Sequence, residues 1–263
     1  MKISVVTVSY NAAGTIGVTI ASVAGQDWDD IEHIVIDGAS TDLTSEVVER
    51  AAHDRLVFVS EPDRGMYDAM NKGLARATGD YIGFLNADDF YASPRSLRLV
   101  AETAIATGAD CVIGDTHFVD AQGRPAGRIY STWGFRPYWI RIGIMPPHPS
   151  FFARTSLLRA AGGFDLSYRI SADFDLVARV MLKHHASWVR INRVLSYFRV
   201  GGISTQGITA KRNIGRETSR SLTALGQPLA PMLAGLRYIP KGAHLLVGLL
   251  LARGRRLFGT VQQ

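Results

Sequence analysis

Three short stretches of this 263-residue chain carry side chains able to do chemistry: Asp37-Gly38-Ala39-Ser40-Thr41-Asp42, Asn86-Ala87-Asp88-Asp89 and Ser171-Ala172-Asp173-Phe174-Asp175. A carboxylate at the end of a buried strand can accept charge-assisted hydrogen bonds from a nucleobase or a ribose. Asp37 has that placement; the plainer reading is a tight turn, with Asp42 capping a helix. Hard divalent ions take oxygen ligands, and Mg²⁺ is commonly shared between one or two carboxylates and substrate phosphates. Asp88 and Asp89 supply such oxygens, or they form a solvated acidic turn. Asp173 stands at a helix start behind Gly162-Gly163-Phe164-Asp165, where it either caps the helix or takes a proton in a reaction.

The first half of the chain alternates strand and helix signals. Ile3–Ser9, Ile31–Asp37, Leu56–Ser60 and Tyr81–Leu85 are short runs rich in β-branched residues and read as buried strands. Thr15–Ala24, Thr44–Ala52, Tyr67–Ala77 and a segment from Pro94 to Thr107 read as helices. This order predicts an α/β fold with a doubly wound, mostly parallel sheet. Ligands bind such sheets at the C-terminal strand edges, where the acidic turns after the second and fourth strands fall.

Beyond about residue 110 the pattern changes. Asp110–Val119, Gly127–Trp133 and Val194–Val200 look like strands, Ser171–His184 a helix, and Thr209–Leu225 a polar, basic helix. Ala243–Ala252 is continuously apolar and flanked by Lys241, Arg253, Arg255 and Arg256. It is far short of the roughly 20 residues that cross a bilayer. It reads as a packed helix or as an in-plane membrane contact, with arginines on lipid phosphates.

Charge is unevenly spread. Residues 1–90 hold 6 Lys/Arg against 15 Asp/Glu, and residues 91–263 hold 23 against 8. An acidic, cation-binding half and a basic half facing an anion follow from this. The single cysteine, Cys111, excludes an internal disulfide and a multi-cysteine zinc site, and in its apolar run it reads as core. The start lacks a basic region followed by a long apolar stretch, so no signal peptide is expected. His184-His185 reads as a helix end, because adjacent histidines do not share a helix face.

Taken together, VVTVSYNA, VIDGASTD, EPDRGMYDAMNKGLARATGDYIGFLNADD, HPSFFAR, GGFD and SADFDLVAR resemble family 2 glycosyltransferases of the GT-A fold. The likeness is to the bacterial branch that builds exopolysaccharides and glycolipids, and it covers residues 1–205. The resemblance implies a nucleotide-sugar half over 1–110 and an acceptor half over 111–205. Residues 206–263 are then a basic helical tail with possible membrane-surface contact. It implies that Thr7, Ser9 and Asn11 line the nucleotide, that Asp37 pairs with the base, and that Ser40 lies beside it. Asp63, Arg64, Asn71 and Lys72 would shape the ribose and diphosphate side. Arg64 also reads as a surface partner of Asp68, and Lys72 as an exposed helix residue.

Asn86-Ala87-Asp88 occupies the place of the family's Asp-x-Asp motif, with Asp88 the contact for Mn²⁺ or Mg²⁺ and Asp89 on the donor sugar or bracing the turn. Asp173 matches the catalytic base, and His148 lies toward the acceptor or phosphate. From the residues themselves, Arg199 with Gly201-Gly202-Ile203-Ser204 reads either as a plain strand end and turn or as a closure over the diphosphate. The implied activity is inverting transfer, of a hexose in expectation, from a UDP-, GDP- or dTDP-linked donor to a saccharide or a polyprenyl-diphosphate or other lipid-linked acceptor. The implied setting is the cytoplasm, peripheral at the inner face of the cell membrane.

Two departures stand out. Asn86 replaces the motif's first aspartate, so a weaker metal site is expected, and Ala172 replaces an acid beside the base. Both leave open a catalytically weak nucleotide-sugar-binding or scaffold protein. A nucleotidyltransferase would need a glycine-rich basic loop after the first strand, and an oxidoreductase Gly-x-Gly-x-x-Gly; Ser9–Gly14 is neither. No nucleic-acid-binding module accompanies the positive charge.

Overall fold

The structure is a computed structural model that describes residues 1–200 and 207–227. Its first half is built as the alternation predicts. Strand β1 (Ile3–Ser9) is buried throughout and is followed by helix α1 (Ile16–Ala24), which buries Ile16, Thr19, Ile20 and Val23, one helical stripe. Then come β2 (Ile31–Asp37), α2 (Thr44–Arg50), β3 (Leu56–Ser60), α3 (Met66–Arg76) and β4 (Tyr81–Phe84). The four strands run parallel in the order β3-β2-β1-β4. Register pairs Ser9 with Asp37 and Asp37 with Ser60, so three polar strand ends lie side by side. Helix α3 lies close on β1: a Cβ at Gly73 would stand 2.3 Å from a Val6 methyl.

The second half adds antiparallel pairing. The two-residue β5 (Phe90–Tyr91) precedes α4 (Ser96–Thr107), which ends at Gly108 in the left-handed conformation. Strands β6 (Cys111–Val119) and β7 (Pro125–Tyr130) form a hairpin. After two 3₁₀ turns, Pro137–Ile142 and His148–Ser150, strand β8 (Phe151–Arg154) inserts between β4 and β6, antiparallel to both. Helix α5 (Thr155–Ala160) follows, then α6 (Ala172–Ala178), which continues through a π-helical turn, Arg179–Lys183. Strand β9 (Trp188–Arg199) pairs with β6 and β5, and α7 spans Gly207–Ala224. Among the described residues all nine strands belong to one sheet.

The chain is thus α/β, with its parallel, wound character concentrated in the first four strands. Strands β5 and β8 are too short to announce themselves in the sequence. Strand β9 starts six residues before the expected Val194, because Arg190, Asn192 and Arg193 interrupt its apolar pattern. Leu222 of α7 is fully buried in the main core beside Ala172, Leu176 and Phe164, so the described part of 206–263 packs on the domain. Cys111 is core, with burial pushing its thiol up. The 243–252 stretch and the Gly201–Ser204 turn lie outside the described residues.

Candidate functional site

The edge formed by the ends of β1, β2 and β3 is organised by one carboxylate. Asp37 is fully buried. Its Oδ1 accepts hydrogen bonds from Ser9 Oγ at 2.9 Å and from Ser40 Oγ, and its Oδ2 accepts from the Ser40 amide and Ser60 Oγ, each at 2.8 Å. The loop after β1 is stitched to the loop after β2: the Asn11 amide donates to Ser40 Oγ at 2.8 Å, and Asn11 Oδ1 accepts the Thr41 amide at 2.9 Å. Asn11 and Ala39 hold positive φ of 49° and 58° to make this fit. Of the expected nucleotide residues, Ser9, Asn11, Asp37 and Ser40 therefore converge. Thr7 shares the face of Ser9 but lies deeper in the sheet: it is buried, with its hydroxyl 3.0 Å from His33 Nε2.

The segment before α3 closes one side of this edge. A Cβ at Gly38 would stand 2.5 Å from Asp63 Oδ2, so glycine is what lets the two turns touch. Asp63 Oδ1 accepts the Gly65 amide at 2.7 Å. Arg64 is exposed and pairs with Asp68 at 3.0 Å, the surface pairing open to it from sequence. Lys72 reaches the Pro62 carbonyl at 2.7 Å and Glu61 at 3.2 Å, so it pins this loop. Asn71 exchanges two hydrogen bonds of 2.8 Å with the backbone of Phe164. Its amide thus clamps the Gly162-Gly163-Phe164 turn, using one of its two N–H donors.

The turn after β4 holds the second constellation. Arg199 braces it: its backbone N–H donates to Asp89 Oδ1 and its Nε–H to the Asp88 carbonyl, both at 3.2 Å. Burial pushes the Asp88 carboxyl up, and burial together with Asp88 pushes the fully buried Asp89 well above the carboxylate range. Two adjacent acids that resist ionising together are what a bound cation reverses. Asn86 Oδ1 and Asp89 Oδ2 are buried without hydrogen-bond partners among the described residues. These oxygens and Asp88 suit a hard cation. No group of three or more His, Cys, Asp or Glu gathers into a protein-only metal shell among the described residues, so a diphosphate would have to complete the coordination.

The third constellation reaches the same edge through aromatic contacts. Phe164 packs edge-on against Phe84 at the end of β4, with centroids 4.9 Å apart, and stacks on Tyr67 of α3 at 5.6 Å. The Tyr67 hydroxyl donates to the Ile170 carbonyl and lies within hydrogen-bond reach of Asp173. Asp173 is half-buried, its Oδ1 accepts the Phe174 amide at 2.8 Å, and burial pushes its pKa up to about 6. Burial is the largest cause of that rise, and the charge of Glu217 adds to it. Ala172 is fully buried in the core, where a carboxylate would be stripped of water. His148 stacks on Phe84 at 5.9 Å; burial lowers its pKa to about 4, and its Nε2 has no partner among the described residues. It is a neutral imidazole beside the site.

Sequence reasoning missed Glu217 of α7. Its carboxylate accepts the amides of Arg169 and Ile170 at 3.0 Å and of Ser171 at 2.8 Å, fixing the loop that enters α6. Asp175 adds a second tie, accepting Ser221 Oγ at 2.8 Å and pairing with Arg179 at 2.8 Å. The available signal was a lone acid among Arg212, Arg216 and Arg220.

Comparison with known proteins agrees with this geometry. The model of the family described as glycosyl transferase family 2 matches residues 4–158. An uncharacterized glycosyltransferase of Mycobacterium tuberculosis is 31% identical over 204 residues, 77% of each chain. A PGL/p-HBAD biosynthesis glycosyltransferase of Mycobacterium bovis is 30% identical over 207 residues, 76% of this chain and 78% of its own. Among solved structures, S. aureus TarS 1-349 in complex with UDP-GlcNAc superposes with a TM-score of 0.67 at 20% identity, over 84% of this chain and 66% of that one. The mannosyltransferase PcManGT from Pyrobaculum calidifontis, in complex with GDP-Man and Mn²⁺, gives 0.60 at 19% identity over 95% and 80%. At such identities these two establish the GT-A fold. By the family model and by its relatives, the chain belongs to glycosyl transferase family 2.

Proposed function

We propose that the chain transfers a sugar, with inversion, from a nucleotide-sugar to a hydroxyl of a saccharide or lipid-linked acceptor. The setting we infer is cell-surface polysaccharide or glycolipid synthesis, at the inner face of the cell membrane. The observation that carries this is Asp173: a half-buried carboxylate with a pKa near 6, held by the Phe174 amide beside the strand edge that carries Asp88. Such a group is ionised at neutral pH and basic enough to take a proton in the transition state. Support for the donor class comes from TarS with UDP-GlcNAc and PcManGT with GDP-Man. Support for a lipid-linked acceptor comes from the PGL/p-HBAD relatives and from the basic second half of the chain.

The acceptor hydroxyl gives its proton to Asp173 as its oxygen bonds to the anomeric carbon. The bond from that carbon to the diphosphate oxygen breaks, and its electron pair leaves with the nucleoside diphosphate. Asp37 keeps Ser9, Ser40 and the Asn11 loop in place for the nucleoside. Arg199 keeps the 86–89 turn in place, and Asp88, with Asn86 and Asp89, would hold Mn²⁺ or Mg²⁺. When bound, such an ion neutralises charge on the departing diphosphate. The test is a panel of UDP-, GDP- and dTDP-sugars with Mn²⁺ or Mg²⁺, read by thermal shift and by donor turnover. One donor that stabilises the chain and is consumed supports the reading. No binding by any of them would replace it with a scaffold role.

A further inference from the structure

A second concave site lies between α7 and the loop entering α6. Arg169, Asn213, Arg216, Glu217 and Arg220 line a hollow of about 440 Å³, the size class of small-ligand sites. Three guanidinium groups face one carboxylate. Glu217, tied to three backbone amides, supplies one negative charge against the three guanidinium groups, so the hollow keeps a positive excess. Arg169 and Arg216 are exposed and make no salt bridge among the described residues. Arg220 is held in position: its Nη2 donates to Ser167 Oγ at 2.9 Å, and its guanidinium lies 3.7 Å over the Tyr168 ring.

The forked, pre-oriented guanidinium of Arg220, with Arg169, Arg216 and the Asn213 amide around it, suits a phosphate oxygen set better than a lone ammonium would. Position says which phosphate. The donor diphosphate belongs at the Asp88 turn, whereas this hollow starts at Arg169, four residues before the base. Four residues span at most about 14 Å of chain, a distance of one or two sugar units. A phosphate held here would present a hydroxyl on its own molecule to Asp173.

We propose that the Arg169–Arg216–Arg220 hollow is the acceptor's phosphate subsite, taking a phosphomonoester, phosphodiester or diphosphate. The assignment rests on the transferase reading above for its purpose, but binding at the hollow is separable from it. The test titrates inorganic phosphate into the full chain without divalent ion, alongside the double variant Arg169→Gln/Arg216→Gln. Nucleoside diphosphate binding serves as the check that the variant is folded.

Saturable binding by the wild type, weakened about tenfold to a hundredfold in the variant, with unchanged nucleoside diphosphate binding, is the expected result. Absence of saturable binding in the wild type, or equal binding by both proteins, overturns the subsite. A second arm co-sediments both proteins with phosphatidylcholine vesicles, with and without phosphatidic acid. Loss of phosphate-dependent vesicle binding in the variant supports a lipid headgroup as the source. Loss of inorganic phosphate binding alone supports a phosphate carried on a saccharide. Failure of every nucleotide-sugar to bind would sink the transferase reading while leaving the phosphate result standing.

Discussion

The Ser171 amide donates to Glu217 Oε2 at 2.8 Å, so a helix 46 residues downstream fixes the backbone two residues before Asp173. Hydrogen bonds to a charged acceptor contribute about 1.5–3 kcal/mol, and Glu217 makes three. Glu217→Ala is expected to lower kcat at least tenfold (about 1.4 kcal/mol) and to lower Tm. Nucleotide-sugar affinity should hold, since the β1–β3 edge is untouched. Glu217→Gln, which keeps one carbonyl acceptor, should recover part of kcat. A kcat unchanged in Glu217→Ala would show that the loop holds itself.

Asp173→Asn should cut turnover by about 10²–10⁴-fold and spare donor binding. In the wild type, kcat/KM should fall as pH drops below about 6, where the base takes up its proton. The same shift sets a stability trend. A carboxyl whose folded pKa lies above its unfolded one costs the fold stability only when ionised. That cost is absent below about 4, grows toward pH 6 and is complete above it. Asp173→Asn should therefore melt higher than wild type at pH 7.5, with the gap closing near pH 4.

For Asp88→Ala the measurement is divalent-ion titration of donor turnover. The expected outcome is a requirement shifted to much higher ion concentration, or activity lost at any concentration. Asn86→Asp should move it the other way, because a second carboxylate binds a hard cation more strongly than an amide oxygen. Identical ion dependence in Asp88→Ala and wild type would remove Asp88 from the metal site.

Gly73→Ala tests the contact of α3 with β1. Helix propensity favours alanine by about 1 kcal/mol. A Cβ 2.3 Å from the branched, buried Val6 costs about 1–3 kcal/mol of overpacking, and the clash should win. A lowered Tm is expected, and the double variant Gly73→Ala/Val6→Ala should restore part of it.

His33 and His148 are buried, and burial lowers their pKa values to about 3 and about 4. Both rings stay neutral in the fold, whereas in the unfolded chain they take protons below pH 6.5. Their contribution is full above that pH and is lost as pH falls toward 4, at about 1.4 kcal/mol per pH unit for each ring. Chemical denaturation from pH 7 to 5 should show this loss, and His33→Gln or His148→Gln should each flatten it.

Strands β1, β2 and β3 were legible to the residue, because each is an apolar β-branched run closed by a polar turn. Strand β8 was not: Phe151–Arg154 is four residues long, and only its insertion between β4 and β6 makes it a strand. The site divides in the same way. Asp88 and Asp173 stand out only through the motifs around them, Asn86-Ala87-Asp88-Asp89 and Ser171-Ala172-Asp173, since a lone acid at a turn or helix start reads equally well as turn or cap. The jobs of Asn71 and Lys72 could not be read, since their partners are backbone atoms of Phe164 and Pro62. Glu217 was invisible for the same reason: three amides carry no side-chain signature. Asp37 was correctly placed at the strand edge, but only the geometry reveals that serines fill both its oxygens.

The carboxylate clamp on residues 169–171 also orders events during synthesis. A ribosome releases strands β1–β4 long before it makes Glu217. Until α7 emerges, the amides at the entrance to α6 have no acceptor of this kind and Asp173 has no fixed post. A nascent chain can therefore fold its β1–β4 edge early while Asp173 is set last.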